Sequence, residues 1–437
     1  MDFFSLDFII FFFLVFFGYY LISPNKRKKW LLVANVIFWI TQSYFTLILA
    51  FICLILDYFF IFKSSNNLSF SSKNKFFLPY LFLLLIYYFL PLPTELLNAG
   101  IYPKVITNRF LPCGLFIMCF QSIRNINLIS RGEEKLDGLS FIDWVKMQLL
   151  FISFYCGPIN NLKNLNSELK GEKRFSFDNI VLGFKLLFWA LLKKMVIADR
   201  LISYMNSFKS GSIIIGGYED AIIAIFIPFF YITFTIGAYC SLSKSLGYFL
   251  GINSLRNIDI YAYLTGIGNF WSRWIITLKQ TLDEIFIESK FCKAIVYSFL
   301  IIFNLIFFMN SKYILFCLPL FVFFIYFDFY LQQMNYFDST LMAIFSKITS
   351  FVLIALFWSI CFLKVPYKFD FKNKFNGLLN FTNSDFLIFF IILLIIIIHI
   401  LRRKIKNFKM TDTRQFEDIS LVGIVFLGYF VLMFGVF

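Results

Sequence analysis

Apolar residues run in blocks about as long as a bilayer is thick. A membrane helix needs about 20 mostly apolar residues. Blocks of that kind lie at roughly 3–23, 30–45, 46–62, 76–92, 139–157, 179–206, 213–250, 293–309, 313–332, 343–364, 382–401 and 418–437. Some are long or polar enough to be broken, tilted or amphipathic, so the pattern predicts about ten to twelve transmembrane helices. The first block has no basic run ahead of it and no small-residue cleavage site, and reads as an anchor, not a removed signal.

Composition sharpens this reading. Of 437 residues, 60% are hydrophobic and 15% charged, with a mean hydropathy of +0.79. Soluble domains carry about 25% charged residues. The pattern therefore predicts an all-α polytopic membrane protein and excludes secreted, disulfide-framed and disordered classes. The excess of Phe, with 66 residues, matches the bias of an AT-rich genome more than any chemistry.

A net charge of +15 would suggest nucleic acid as a partner for a soluble domain. Here the lipid bilayer is the expected partner, because cytoplasmic loops of membrane proteins collect Lys and Arg. No structured basic soluble domain is present to hold nucleic acid. The run Lys26-Arg27-Lys28-Lys29 predicts a cytoplasmic loop and an N-terminus outside. Lys63, Lys73 and Lys75, and later Arg402, Arg403, Lys404 and Lys406, agree with that orientation.

The eight cysteines sit almost entirely inside apolar runs with no C-x-x-C pair, so they read as small buried hydrophobes. His399 is the one histidine, which rules out a histidine metal site within this chain and any mechanism needing two imidazoles. No metal or bound cofactor is expected.

Residues 95–290 are less apolar and hold Pro112, Gly114, Gly157, Pro158, Gly237, Gly247, Gly266 and Gly268. Proline and glycine at membrane depth predict broken or re-entrant helices that line a cavity. No internal repeat is visible, which disfavours an inverted-repeat transporter.

The densest polar-aromatic cluster is Asn269-Phe270-Trp271-Ser272-Arg273-Trp274-Ile275-Ile276-Thr277-Leu278. As a helix it puts Trp271, Trp274 and Leu278 on one face. An interfacial amphipathic helix would show the same pattern. The segment resembles the F-W-x-R-W-H-x-S-L signature of the membrane-bound O-acyltransferases, in the bacterial branch of alginate O-acetylation and D-alanyl transfer. Other segments match in the same order. Leu111–Phe116 with Phe120-Gln121-Ser122 resembles L-P-x-G-x-x-F…F-Q-S. Cys156-Gly157-Pro158-Ile159 resembles A-G-P-I, and Leu191–Arg200 is close to G-L-F-K-K-V-V-I-A-D-N. Leu246–Gly251 and Phe357-Trp358 also fit, so the resemblance covers about residues 25–437.

The resemblance implies one domain over 1–437, a ring of tilted helices around a central funnel. N-terminal helices would occupy 1–94, the funnel core 95–332 and C-terminal helices 333–437. It also implies acyl transfer from a cytoplasmic thioester, acyl-CoA or an acyl carrier protein, to an extracytoplasmic glycan or polymer hydroxyl. The expected location is the bacterial cytoplasmic membrane. Asn269, Trp271, Arg273, Trp274, Tyr239, Asn310 and Lys312 would line the funnel. Lys163, Lys170, Lys173 and Arg174, in a loop over 160–178, would dock the acidic donor, although a solvated loop has the same composition.

Departures from the family pattern fall on its chemistry. The two family histidines align with Ile275 and Met309, two family aspartates with Thr235 and Ser241, and an Arg-Asp pair with Asp283-Glu284. Acyl transfer to a hydroxyl needs a base, and a histidine of pKa about 6.5 serves near neutral pH. Isoleucine and methionine exchange no proton. Lys312 is a substitute base if desolvation lowers its pKa. A relocated His399, or acyl capture by Cys156 or Cys317, is the weaker alternative. Whether the chain is an enzyme stays open at this level: one reading is an acylation-pathway protein with a degenerate site. A second is a silent scaffold or acyl conduit for an extracytoplasmic acyltransferase partner, and a third is a small-solute transporter.

Overall fold

The computed structural model describes residues 2–42, 44–63, 73–89, 114–133, 140–160, 175–209, 218–252, 257–258, 270, 273–285, 349–356 and 358–359. Regular structure among them is entirely helical. The chain packs as two units. The first comprises Met1–Gly183, Leu242–Ile258 and Ser272–Phe308, and the second Phe184–Ser241, Asp259–Trp271 and Met309–Phe437.

In the first unit, α1 (Leu6–Leu21) starts where the Ser5 hydroxyl accepts from the Phe8 amide at 3.2 Å. Phe8, Phe11, Val15 and Tyr19 form its buried stripe, at helical spacing. The opposite side exposes Leu6, Ile9, Ile10, Phe13, Leu14, Phe17 and Leu21. A helix apolar on both its buried and its exposed side suits lipid, not water. α2 (Pro24–Gln42) opens on Pro24, which lacks an N–H that the first turn would leave unpaired anyway. α3 (Tyr44–Asp57) continues as a π-helical turn (Tyr58–Lys63), and α4 (Lys73–Phe89) follows. Packing runs α1 on α2, α2 on α3, and α3 on α4 and α5 (Gly114–Ser130).

The predicted block at 139–157 is not one helix. It splits into α6 (Phe141–Gln148), a 3₁₀ turn (Phe151–Ser153) and an irregular stretch to Asn160, all buried from Met147 onward. Backbone leaves helical geometry in the interior only where other groups pair it. Here α2 supplies them: Trp39 Nε1 donates to the Leu149 carbonyl at 2.9 Å, and the Phe151 amide donates to Asn35 Oδ1 at 3.1 Å. Rings of Phe3, Phe8, Phe11, Phe38, Phe151 and Phe154 pack round this crossing at centroid distances of 4.6–6.4 Å.

α5 is absent from the predicted blocks, yet every residue from Gly114 to Leu128 is buried. Gln121, Ser122, Arg124, Asn125 and Asn127 keep its hydropathy low, while packing on all sides makes it a core helix.

In the second unit, the rest of α7 (Phe177–Leu191) passes through a π-helical turn (Leu192–Ala198) into α8 (Asp199–Lys209). α9 (Tyr218–Phe249) begins in this unit and ends in the first, and runs unbroken through Pro228, Gly237 and Gly247. Gly237 and Gly247 were expected to break it. Proline removes one hydrogen bond from a long helix, and neighbouring groups re-pair what is freed. Phe229 packs against Phe351 at 5.5 Å and Phe270 at 6.4 Å. Among the described residues two helices, Phe45–Lys63 and Ile225–Phe249, are long and apolar enough to cross a bilayer. The predicted blocks at 293–309, 313–332, 382–401 and 418–437 lie outside the described residues.

Candidate functional site

Three segments that are distant in sequence meet in the first unit. α5 brings Arg124, the irregular stretch brings Cys156–Asn160, and α10 (Ile276–Ile285) brings Thr277 and Glu284. Arg124 Nε and Nη2 donate to Glu284 at 2.8 and 2.6 Å, a two-pronged pairing that fixes orientation as well as distance. Its Nη1 donates to the Ile159 carbonyl at 2.8 Å. The Ile159 amide in turn donates to Thr277 Oγ1 at 3.0 Å, so both backbone groups of Ile159 are taken. Asn127 Nδ2 adds a bond to the Glu284 carbonyl at 2.9 Å.

Asn257 is the fourth corner. Its side-chain oxygen accepts from the Thr277 amide at 3.1 Å and hydroxyl at 2.5 Å, its carbonyl accepts from the Ile276 amide at 2.8 Å, and its Nδ2 donates to the Cys156 carbonyl. Ser243, on the last turns of α9, donates to the Ile152 carbonyl at 2.7 Å and reaches the Gly157 carbonyl at 3.2 Å. Gly157 has φ +73°, the left-handed region, and a Cβ there would meet Asn257 Nδ2 at 2.9 Å. Only glycine fits this turn.

A second buried polar cluster lies in the same unit. Asp57 Oδ1 accepts from the Tyr80 hydroxyl at 2.7 Å, and Oδ2 accepts from Trp144 Nε1 at 2.8 Å and Gln148 Nε2 at 3.3 Å. Gln148 Nε2 also donates to Ser122 Oγ at 2.9 Å, and Ser122 donates to the Met118 carbonyl at 3.1 Å. α5 thus joins both clusters, through Ser122 and Arg124. Nothing in the sequence reading singled out Asp57. The signal was available: it is the lone acid of an apolar span, and such residues are costly unless paired.

In the second unit, Lys193 on the π-helical turn is buried. Its ammonium donates to Ser241 Oγ at 2.7 Å and the Gly237 carbonyl at 3.3 Å, and lies 5.2 Å from the Trp189 ring centroid. Thr235 and Tyr239 are buried on α9.

Of the sequence-predicted site residues, Arg273 is half-buried, while Trp274 and Ile275 are buried just ahead of α10 in the first unit. Asp283 pairs with Lys279 one turn back, and its neighbour Glu284 is the one that reaches α5. Asn269, Trp271, Met309, Asn310, Lys312, Lys163, Lys170, Lys173, Arg174, Cys317 and His399 lie outside the described residues. Among the described residues no group of three His, Cys, Asp or Glu side chains is placed to hold a metal ion.

The convergence joins three segments of the resemblance: the stretch just after Phe120-Gln121-Ser122, the Cys156–Ile159 turn, and the helix after Trp274. Comparison with known proteins points the same way. No family model matches the chain. The probable alginate O-acetylase AlgI of Azotobacter vinelandii is 24% identical over 187 residues, 43% of this chain and 37% of that protein. Its namesake from Pseudomonas aeruginosa is 24% identical over 188 residues, 43% and 35% of the two chains. A peptidoglycan O-acetyltransferase of Helicobacter pylori is 27% identical over 158 residues, 33% and 28%. The chain resembles the membrane-bound O-acyltransferases. The matched stretch spans about a third of the length of these curated relatives. The Arg124–Glu284 pair and the Asn257–Thr277 pair hold α10 against the Cys156–Ile159 turn, while Ile275 is a packed apolar side chain.

Proposed function

We propose that this chain is a multi-pass protein of the bacterial cytoplasmic membrane, one domain with its N-terminus outside, in an envelope acylation pathway. The transfer it serves moves an acyl group from acyl-CoA or an acyl carrier thioester on the cytoplasmic side to a hydroxyl of an extracytoplasmic glycan or polymer. One observation carries the reading. Arg124 and Thr277 clamp Ile159 from both sides, so the segments that carry the resemblance are built into one buried framework. A framework of this kind serves to position a reaction, since rate depends on holding groups to within about 1 Å. Funnel roles for Asn269, Trp271, Arg273, Trp274, Tyr239, Asn310 and Lys312, and donor docking by Lys163, Lys170, Lys173 and Arg174, belong to the same proposal.

A second reading is a silent scaffold or acyl conduit beside a partner that supplies the chemistry. Ile275, only 5% exposed at a histidine position, favours it. An aliphatic side chain neither takes nor gives a proton, and loss of a general base costs about 10²–10⁴-fold.

The deciding experiment is turnover of labelled acetyl-CoA and of a loaded acyl carrier by the full chain in lipid, with Lys312→Ala and Met309→His beside it. Turnover lost in Lys312→Ala, with unchanged unfolding temperature, assigns the base to Lys312. No turnover in the natural chain, with gain in Met309→His, describes an intact funnel that has lost its base. No turnover in any variant, with a co-purifying envelope acyltransferase, supports the scaffold. A chain that turns over neither donor and purifies alone in mild detergent defeats both readings.

A further inference from the structure

Four consecutive cations, Lys26, Arg27, Lys28 and Lys29, sit near the start of α2, and its first turn holds no acid. Lys26, Lys28 and Lys29 are exposed and Arg27 is half-buried. Asp143, a carboxylate that feels Lys28, is already bonded to Lys146 and Ser140 at 2.9 and 2.6 Å.

Aromatic rings share this edge. The Arg27 guanidinium lies 5.5 Å from the ring centroids of both Tyr19 and Tyr20. Tyr20 meets the Phe175 ring edge-on at 5.4 Å. Phe175 is 58% exposed and Phe177 67%, and Leu21, at the end of α1, is 84% exposed. Bare apolar rings beside bare ammonium groups suit neither water nor hydrocarbon alone. They suit the boundary where phosphate headgroups meet acyl chains. A soluble acidic protein would answer the charges and leave the rings uncovered.

We propose that this edge binds anionic phospholipid, with Lys26, Lys28 and Lys29 on the phosphate and Phe175, Phe177 and Leu21 against the upper acyl chain. The inference rests on the membrane reading above. It goes beyond it by naming a lipid class and the side chains that select it. Anionic surfaces attract juxtamembrane Lys and Arg, and the attraction falls off within a Debye length.

The test uses the full chain in neutral detergent, titrated with fluorescent phosphatidylglycerol or phosphatidylcholine. Tighter binding of phosphatidylglycerol is expected, weakening as salt rises. The triple substitution Lys26→Gln, Lys28→Gln, Lys29→Gln should weaken it on the order of a hundredfold, with phosphatidylcholine binding and the unfolding temperature unchanged. Phe175→Ser with Phe177→Ser should weaken both lipids. Equal binding of phosphatidylglycerol by the triple variant overturns the proposal. So does competition by inorganic phosphate as strong as by lipid, or retention of an acidic carrier protein through these lysines without lipid selectivity. Alkaline carbonate separates the two levels: release of the natural chain from membranes sinks the membrane reading itself, whereas retention with unselective lipid binding sinks this proposal alone.

Discussion

Arg124 and Asp57 are buried in the same unit, their clusters joined through Ser122 and Arg124 on α5, and their charges are answered differently. Arg124 meets a carboxylate, Glu284, with two short parallel bonds and spends a third on a backbone carbonyl. Asp57 meets three neutral donors, Tyr80, Trp144 and Gln148. Removing Glu284 strands the buried Arg124 cation, and removing Arg124 leaves the Glu284 carboxylate, 26% exposed, without its partner. Removing the charge of Asp57 strands only neutral N–H and O–H groups. Full desolvation of a lone charge costs more than that of a neutral donor, so the two clusters predict unequal responses to equally small changes.

The largest effect is expected for Arg124→Leu. It leaves Glu284 without a partner and the Ile159 carbonyl without its donor, and breaking such a pair costs about 3–5 kcal/mol. Thermal unfolding of the purified chain in detergent reads this directly. Adding Glu284→Leu should recover part of the loss, because the two changes share one interaction. Additive losses would mean that the pair carries no coupling.

Asp57→Asn should cost less, about 1–3 kcal/mol. The amide keeps one acceptor for three donors, and no charge is left behind. A loss from Asp57→Asn as large as that from Arg124→Leu would overturn the comparison. Asp57→Ala, which leaves the Tyr80 hydroxyl and the Trp144 N–H bare, should exceed Asp57→Asn.

Gly157→Ala comes next. Its φ of +73° and the Asn257 amide 2.9 Å from the added methyl both oppose the change. Strain of this kind costs about 1–3 kcal/mol. Its neighbourhood is the Arg124 framework, so the same substitution should also lower any acyl turnover, whereas Asp57→Asn should act on stability alone. Turnover and unfolding temperature measured on the same preparations separate these outcomes.

The two clusters also differ in how far the sequence revealed them. Cys156–Ile159, Trp274 and Glu284 stood in segments with a recognisable pattern, and the structure brings those segments together. Asn257 was invisible, because its work is done by backbone and hydroxyl partners that no spacing rule links across 20 residues. Asp57 was legible in principle as a lone acid in an apolar span. Its partners Tyr80, Trp144 and Gln148 lie 23, 87 and 91 positions away and look like ordinary interfacial residues. α5 was missed for a related reason. Hydropathy counts each polar atom as exposed to lipid, and here Ser122, Arg124 and Asn125 all bond within the protein. Conversely, Gly237 and Gly247 were read as breaks in α9, because a local rule cannot see a neighbour such as Lys193 that takes up the Gly237 carbonyl.

The smallest predicted effect falls on Asp283, next to Glu284. The two carboxylates are adjacent in the chain, and sequence offers no reason to rank them. The structure does. Asp283 pairs with Lys279 one turn away on α10, with side chains 40% and 27% exposed, and among the described residues neither bridges to another segment. Exposed pairs at this spacing contribute about 0.3–0.5 kcal/mol, and salt screens them. Glu284 instead joins α10 to α5, with Arg124 only 8% exposed. Asp283→Asn should therefore leave unfolding within about 0.5 kcal/mol of the natural chain, a difference that shrinks further at high salt. Glu284→Gln should give a loss several times larger and less sensitive to salt, since Arg124 is 8% exposed and Glu284 26%. Equal losses at the two positions, measured at low and at high salt, would mean that the Arg124 bridge is no more than a surface contact.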